Sequence, residues 1–412
     1  MKRHLSQFPS RRNVLRLGVA VGGLTGLSTC LSISEGVAPR GDPAERPSSQ
    51  HRWDSVLATD DDGNRRPPQH HIFLGLTLKQ QPSLTDQERL EAALLRLEEA
   101  YGYTPSGLVF AIGYSPSYFA SATAIDPPIP QTLPLTELDA PSYDSVDAIV
   151  HLASDSATVV LEAEQSLFGQ ESPNGLDPIA IDDFFAPKER RTGFVGPGLP
   201  ATYAENTSVS EAIPEDAPFL MGFRSGFRES QASEDRVTIQ SGPFTGGTTL
   251  HIESSTFNLR QWYEQDTHTQ RVAKLFSPDH ADNGIGTIGE TLGANPGTSQ
   301  TAEKTHEHAR TRGIIGHAQK AARGRDADGS PVLLRRDVNT LDGEQPGLHF
   351  ASYQRSLDEF VRVREAMTGA DVTGSGVGQR LNNGILQYLH VTSRGNYLIP
   401  PREKRAFPAL ST

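Results

Sequence analysis

Apolar residues fall along this chain in short runs of two kinds, which predict strands alternating with helices. Residues 71–78 (HIFLGLTL) form a compact run of strand-favouring residues and read as a strand. Thr85-Asp86-Gln87-Glu88 has the shape of a capping box, and Leu90, Ala93, Leu94, Leu97 and Ala100 then recur at helical spacing up to about Tyr101. Residues 107–113 (GLVFAIG) predict a second strand. After a long proline-rich loop, residues 147–153 (DAIVHLA) predict a third, and residues 156–168 an amphipathic helix. Strand, helix, strand, then strand, helix is the order of a ferredoxin-like split βαβ unit.

Residues 173–214 are loop-like. Residues 248–257 (TTLHIESSTF) alternate inward and outward as a strand does, and residues 259–276, with Trp262, Tyr263 and Val272, predict a helix. A loop rich in Gly, Asp and Thr covers 277–311. Two apolar runs, 331–334 and 348–353, flank the turn Leu341-Asp342-Gly343 and predict paired strands, with a helix over 356–367 after them. Residues 384–391 and 395–400 are the last elements. The two halves share one coarse element order.

Composition adds an address and a boundary. Lys2, Arg3, Arg11, Arg12 and Arg16 precede an apolar, glycine-rich run over 17–31 that is too short to span a membrane comfortably. Ser10-Arg11-Arg12-Asn13-Val14-Leu15-Arg16 resembles the twin-arginine export motif, and Leu27-Ser28-Thr29-Cys30 is similar to a lipobox, with Thr29 departing from its usual small residue. The expected location is therefore extracellular or at the cell surface, with a lipid anchor at the membrane if Cys30 is modified. Replacing Arg11 and Arg12 together by lysine is expected to trap the precursor in the cytoplasm, and unchanged secretion would make this a general secretory signal. Cys30 is the single cysteine, which excludes an intrachain disulfide and a cysteine metal cluster. Residues 33–69, rich in Pro, Arg, Asp and Ser, are too polar to bury a core and predict a disordered linker. The expected organisation is a signal over 1–32, that linker, domains over 70–215 and 216–402, and a tail over 403–412; 412 residues suffice for two sizeable cores.

The formal net charge is −12, with lysine at only seven positions. An acidic, lysine-poor surface keeps a protein dispersed in high salt and points to a halophile, an archaeon, while an ordinary mildly acidic exported protein fits as well. It argues against nucleic acid as a partner.

Candidate chemistry gathers in residues 316–354 (GHAQKAARGRDADGSPVLLRRDVNTLDGEQPGLHFASYQ). A neutral His317 offers one ring nitrogen to a metal, and the other then needs an acceptor. A guanidinium at a neighbouring strand end could stabilise an anionic oxygen opposite that metal. A lone histidine is more often a satisfied residue than a ligand. His306-Glu307-His308 lacks a third ligand at suitable spacing.

The segments GHAQKAARG, VLLRRDVN and GLHFASYQRSLDEF resemble the C-terminal haem-binding region of the dye-decolourising (DyP-type) peroxidases, and the separation of 18 residues between His317 and Arg335 is similar too. Gly113-Tyr114-Ser115-Pro116-Ser117-Tyr118-Phe119 and the segment DAIVHLASDSATVVLEAEQSL look like that family's N-terminal pieces, so the likeness runs from about 70 to 402. The resemblance implies the expected fold class, α+β with tandem ferredoxin-like domains. It also implies haem b, one per chain, with His317 as the iron ligand and Arg335 as the distal cation; Arg336 replaces Arg335 if the register slips by one. Asp337 and Asn339 lie on the same strand end and are placed to line the pocket. Met221-Gly222-Phe223-Arg224-Ser225-Gly226-Phe227-Arg228 resembles the family's GxxDG loop, so Gly222, Phe223 and Gly226 are expected against the haem. Ser225 stands where the family has its acid–base aspartate. Serine cannot act as a base near neutral pH, and losing such a group costs about 10²–10⁴-fold in rate. Glu229 could substitute only if the loop folds back; otherwise it is a surface carboxylate. The partners implied are hydrogen peroxide and a reducing substrate, and a homo-oligomer stays open. The alternative is a non-catalytic haem-binding or iron-handling, deferrochelatase-like lipoprotein.

Overall fold

Ten strands hydrogen-bond into one sheet. They are β1 (His70–Leu78), β2 (Val109–Tyr114), β3 (Ser142–Tyr143), β4 (Ala148–Ser154), β5 (Phe185–Phe194), β6 (Thr248–Phe257), β7 (Leu334–Arg335), β8 (Val338–Thr340), β9 (Gly347–Gln354) and β10 (Leu389–Ile399). The computed structural model describes residues 38–410 apart from 205–208, 344 and 375. The twin-arginine motif and Cys30 lie outside the described residues.

The strand order is β2-β4-β1-β5-β8-β9-β6-β10-β3, with β7 paired to β9. Its first four members and the four β8-β9-β6-β10 repeat one pattern: the third-formed strand beside the first, with the second and fourth outside. That is the ferredoxin-like order, present twice. The repeats meet where Phe194 of β5 faces Asn339 of β8, and again where Leu398 of β10 faces Tyr114 of β2. Those two seams close the sheet into a barrel-like α+β fold, which leaves few exposed edges.

Helices cover the sheet. The helix Leu84–Ala100 starts one residue before the expected box: Ser83 is the cap, exchanging hydrogen bonds with Asp86. It buries Leu90, Ala93, Leu94 and Leu97 against β1, β2 and β4, as its periodicity predicts. The helix Leu357–Thr368 plays the matching part in the second half.

Several expectations fail for identifiable reasons. The loop expected over 173–214 contains β5, whose sequence FAPKERRTGF hides a strand because its arginines are satisfied by charge rather than by apolar alternation. Arg190 Nε lies 2.6 Å from Glu164, and Arg191 pairs with Asp144. The helix expected over 259–276 is broken at Asp266, where Thr267 caps a fresh helix, His268–Leu275, reciprocally with Gln270. The loop over 277–311 holds the helices Pro278–Asn283, Thr298–Ala302 and Thr305–Arg312. The two last elements are one continuous strand, β10.

The linker and tail expectations also need correction. From Ala38 onward the supposed linker packs on the barrel, with Trp53 fully buried. It does so by capping backbone rather than by apolar bulk: Arg46 donates to Tyr101 O and Leu108 O, and Gln50 Nε2 to Ile112 O and Pro400 O. Composition-based disorder arguments count apolar area and miss such polar anchoring. Phe407 of the supposed tail is fully buried in the first core, and Arg405 binds Glu91 and Glu98. No described helix is long and apolar enough to cross a membrane.

Candidate functional site

Strand alternation separates two adjacent arginines. Leu334 and Arg335 pair with Tyr353 and Ser352 of β9, so successive side chains leave opposite faces. Arg336 goes to the far side, stacked 3.9 Å from the Trp53 ring centroid and bonded to His51 O at 2.6 Å. Arg335 points into a cavity. The sequence left the choice between them open; the register settles it in favour of Arg335.

That cavity has a volume of about 210 Å³, well beyond a packing defect in a core whose voids rarely exceed a water. Its wall is largely aromatic and aliphatic, with Phe223, Phe227, Phe276 and Phe360 among the rings. His317, Ser225, Arg335 and Asp337 open onto it.

His317 begins the short helix His317–Ala321, wedged by two glycines. A Cβ on Gly316 would stand 1.8 Å from Phe276 O, and one on Gly384 3.0 Å from His317 Cα; neither position tolerates a side chain without movement. Gln319 and Lys320 anchor the helix from behind. Gln319 Nε2 reaches Thr301 O and His308 Nδ1 at 2.9 Å, and His308 Nε2 in turn holds Asp279 at 3.0 Å. Lys320 Nζ donates to Met367 O and Asn383 O. His308 is thus a buried brace for the helix, and His306 is an exposed partner of Asp371. Among the described residues no group of three or more His, Cys, Asp or Glu is placed to hold a metal ion.

The His317 imidazole is pushed down to about 3 by burial, reinforced by the charges of Lys320, Arg335 and Arg364, so it is neutral at any ordinary pH. Neither ring nitrogen has a hydrogen-bond partner among the described residues. The acceptor expected for the second nitrogen is therefore not supplied by the protein, because the ring lies on an apolar wall. A neutral imidazole with both nitrogens unengaged is chemically a ligand in waiting.

Among the described residues Arg335 forms no salt bridge. Its Nε lies 3.3 Å from Gln231 Oε1 and its Nη2 3.3 Å from Ser230 Oγ, both neutral acceptors, and the Asp337 carboxylate meets its charge only through space. Asp337, two residues on, shares the cavity face. Burial pushes its carboxyl up to about 6, against the pull of Arg335 and the Ala351 backbone, and its Oδ1 has no hydrogen-bond partner. The other wall carboxylate, Glu253, receives Arg394 Nε at 2.7 Å and lies 4.0 Å from Arg364.

The GxxDG-like loop reaches the cavity only in part. Phe223 and Ser225 line it, while Gly222 and Gly226 shape the loop. Gly222 has φ of +83°, and a Cβ there would stand 2.7 Å from the Tyr263 hydroxyl. Asn339 also departs from expectation. It is buried behind the wall, where its Nδ2 donates to Phe194 O and Pro218 O and its Oδ1 accepts from Leu220 N, fixing the approach to the loop. Asp337, two residues from Arg335, turns to the same cavity side, while Asn339 lies past the β7–β8 break, which interrupts the alternation, and serves the β5 seam. Glu229 stays outside: it is 49% exposed and pairs with Arg228.

Arg364 was not anticipated. Phe360, Val363, Arg364 and Met367 occupy one face of the helix Leu357–Thr368 and all line the cavity. An arginine inside an apolar helical stripe was the available signal.

Comparison with known proteins places this geometry. The fold is shared with a dye-decolorizing protein from V. cholerae (14% identity, TM-score 0.52, 85% of this chain and 97% of that one). It is shared also with a DypB variant from Rhodococcus jostii in complex with heme (14%, 0.55, 84% and 97%) and a DyP-type peroxidase from Cellulomonas bogoriensis (16%, 0.54, 85% and 95%). At such identities the likeness establishes the fold alone. No curated protein matches the chain. A family model covers residues 68–401, both repeats and the whole cavity, and the chain belongs to that family, the family of unknown function DUF7405.

Proposed function

We propose that this protein binds haem in the cavity and catalyses oxidation of a reducing substrate by hydrogen peroxide. One observation carries the reading: a neutral His317 with both ring nitrogens unengaged among the described residues and an Arg335 without a salt bridge open onto the same aromatic-walled cavity. A heme-bound DypB variant with the same fold supports it. The donor set fits haem better than a bare ion, since one histidine without companion ligands holds iron only when a macrocycle supplies the rest.

In this reading His317 would supply the iron ligand, and Phe223, Phe227, Phe276 and Phe360 would line the macrocycle. Arg325 would be placed to meet its carboxylates, whereas Arg364 is already bound to Asp139. Bound haem supplies the redox chemistry: one peroxide, two protons and two electrons from the reducing substrate give two waters. The protein's own part is to exclude bulk water with the aromatic wall and to hold the developing negative oxygen at the Arg335 guanidinium.

The test is a haem titration of the purified full chain. One equivalent is expected to bind with a sharp Soret band, and the loaded protein should oxidise a reducing dye with peroxide. Absence of binding would sink the reading. Ser225, which carries no charge, favours the second reading, a haem-binding or iron-handling protein without turnover; one bound haem with no dye oxidation would select it.

A further inference from the structure

Peroxide reduction needs a group that takes the proton from one oxygen and returns it to the other as the O–O bond breaks. Ser225 cannot carry that proton as a charge-bearing base, and Glu229 stands outside the cavity. Two carboxylates line the wall, and Glu253 is held by Arg394. We propose that Asp337 is the catalytic acid–base group, its carboxylate accepting the proton and delivering it to the leaving oxygen. This rests on the haem peroxidase reading above.

The geometry supports it on three counts. Asp337 and Arg335, two residues apart at the β7–β8 junction, open onto one cavity, so base and cation are placed toward the same oxygen pair. Its Oδ1 is buried without a hydrogen-bond partner, a costly arrangement that a folding role alone would not explain. Its carboxyl, raised to about 6 by burial, exchanges a proton readily near neutral pH. The charged groups facing the cavity around it are Arg335, two residues away, Glu253, Arg224, Arg325 and Arg364 from other elements, and neutral His317. The step balances: the proton leaves one peroxide oxygen, passes through the carboxyl, and departs in water with the other. The electrons come from the reducing substrate, and Asp337 ends as the carboxylate it began as.

Asp337→Asn preserves shape and removes the proton exchange. In the haem-loaded full chain it is expected to lower kcat/KM for peroxide by about 10²–10⁴-fold with the Soret band unchanged, while Glu229→Gln has no effect. Ser225→Asp in the Asp337→Asn background should recover at least about tenfold, by returning a carboxylate to the same cavity. Independently of haem, infrared spectra of the haem-free protein should show a carboxylic C=O band titrating near pH 6 that Asp337→Asn removes. Loss of that band with unchanged turnover, or turnover within about threefold of wild type in a haem-loaded Asp337→Asn, overturns the assignment and leaves the peroxidase reading standing. A haem-loaded wild type without peroxide turnover overturns both.

Discussion

Replacing His317 by alanine is expected to weaken haem binding by at least about a hundredfold, since even the outer partners of a metal ligand are worth 10–100-fold. The side chain holds no other part of the fold together, because neither ring nitrogen is hydrogen-bonded. The variant should therefore keep wild-type stability while losing the Soret band or shifting it strongly. No other histidine can take over. His280 is tied to Ser277 and Pro296 O, His308 to Asp279 and Gln319, and His349 to Ser254 and Asp342, while His306 is exposed on an outer helix. None of the four lines the cavity. An unchanged spectrum in His317→Ala would show that haem sits elsewhere. Imidazole added to the variant should partly restore the band, which a merely structural role for His317 would not produce.

Acid is expected to unfold the protein over a narrow range. Burial pushes His51 and His71 down to about 3 and His70 and His251 to about 4, and His151 well below its ordinary value. Their surroundings show why: His71 Nδ1 meets His151 Nε2 at 2.9 Å, His151 stacks 4.0 Å from the Phe73 ring, and His251 3.7 Å from the Phe360 ring. The folded state keeps these rings neutral, whereas the unfolded chain protonates them below about 6.5. Above that pH they cost nothing. Below it, stability falls until the folded values near 3–4 are reached. Each contributes about 1.4 kcal/mol per pH unit, so five give roughly 7 kcal/mol per unit at most, against a total stability of about 5–15 kcal/mol. Asp337 acts in the opposite sense. Its raised pKa makes the folded state the better proton acceptor between about 3.9 and 6, adding stability as pH falls, but one group does not offset five. Urea midpoints followed by circular dichroism should fall steeply between pH 6.5 and 4.5. A flat profile would mean that these histidines titrate in the folded state.

The local chain determined much of this fold directly. Apolar runs placed β1 and β9, alternation placed β6, and helical periodicity placed the helix Leu84–Ala100, whose apolar stripe faces the sheet. The tandem ferredoxin-like architecture and the pairing of His317 with Arg335 came from the resemblance to the DyP-type peroxidases rather than from residue type and spacing alone. Elements stabilised by charge or by backbone capping were illegible in the same terms. β5 is held by ion pairs to Glu164 on a covering helix and to Asp144 in a loop, and residues 38–69 by side chains that cap distant carbonyls, so neither leaves an apolar period. The cavity itself belongs to the tertiary structure. Register sent Arg335 inward and Arg336 onto Trp53 and brought Asp337 to the wall, the β7–β8 break put Asn339 behind it, and Arg364 reached the wall on a helix, bound to Asp139. A carboxylate's pairing and burial depend on residues far away in the chain. That is why Asp337, an ordinary acidic letter in the sequence, becomes a buried group with a free oxygen only when the barrel closes around it.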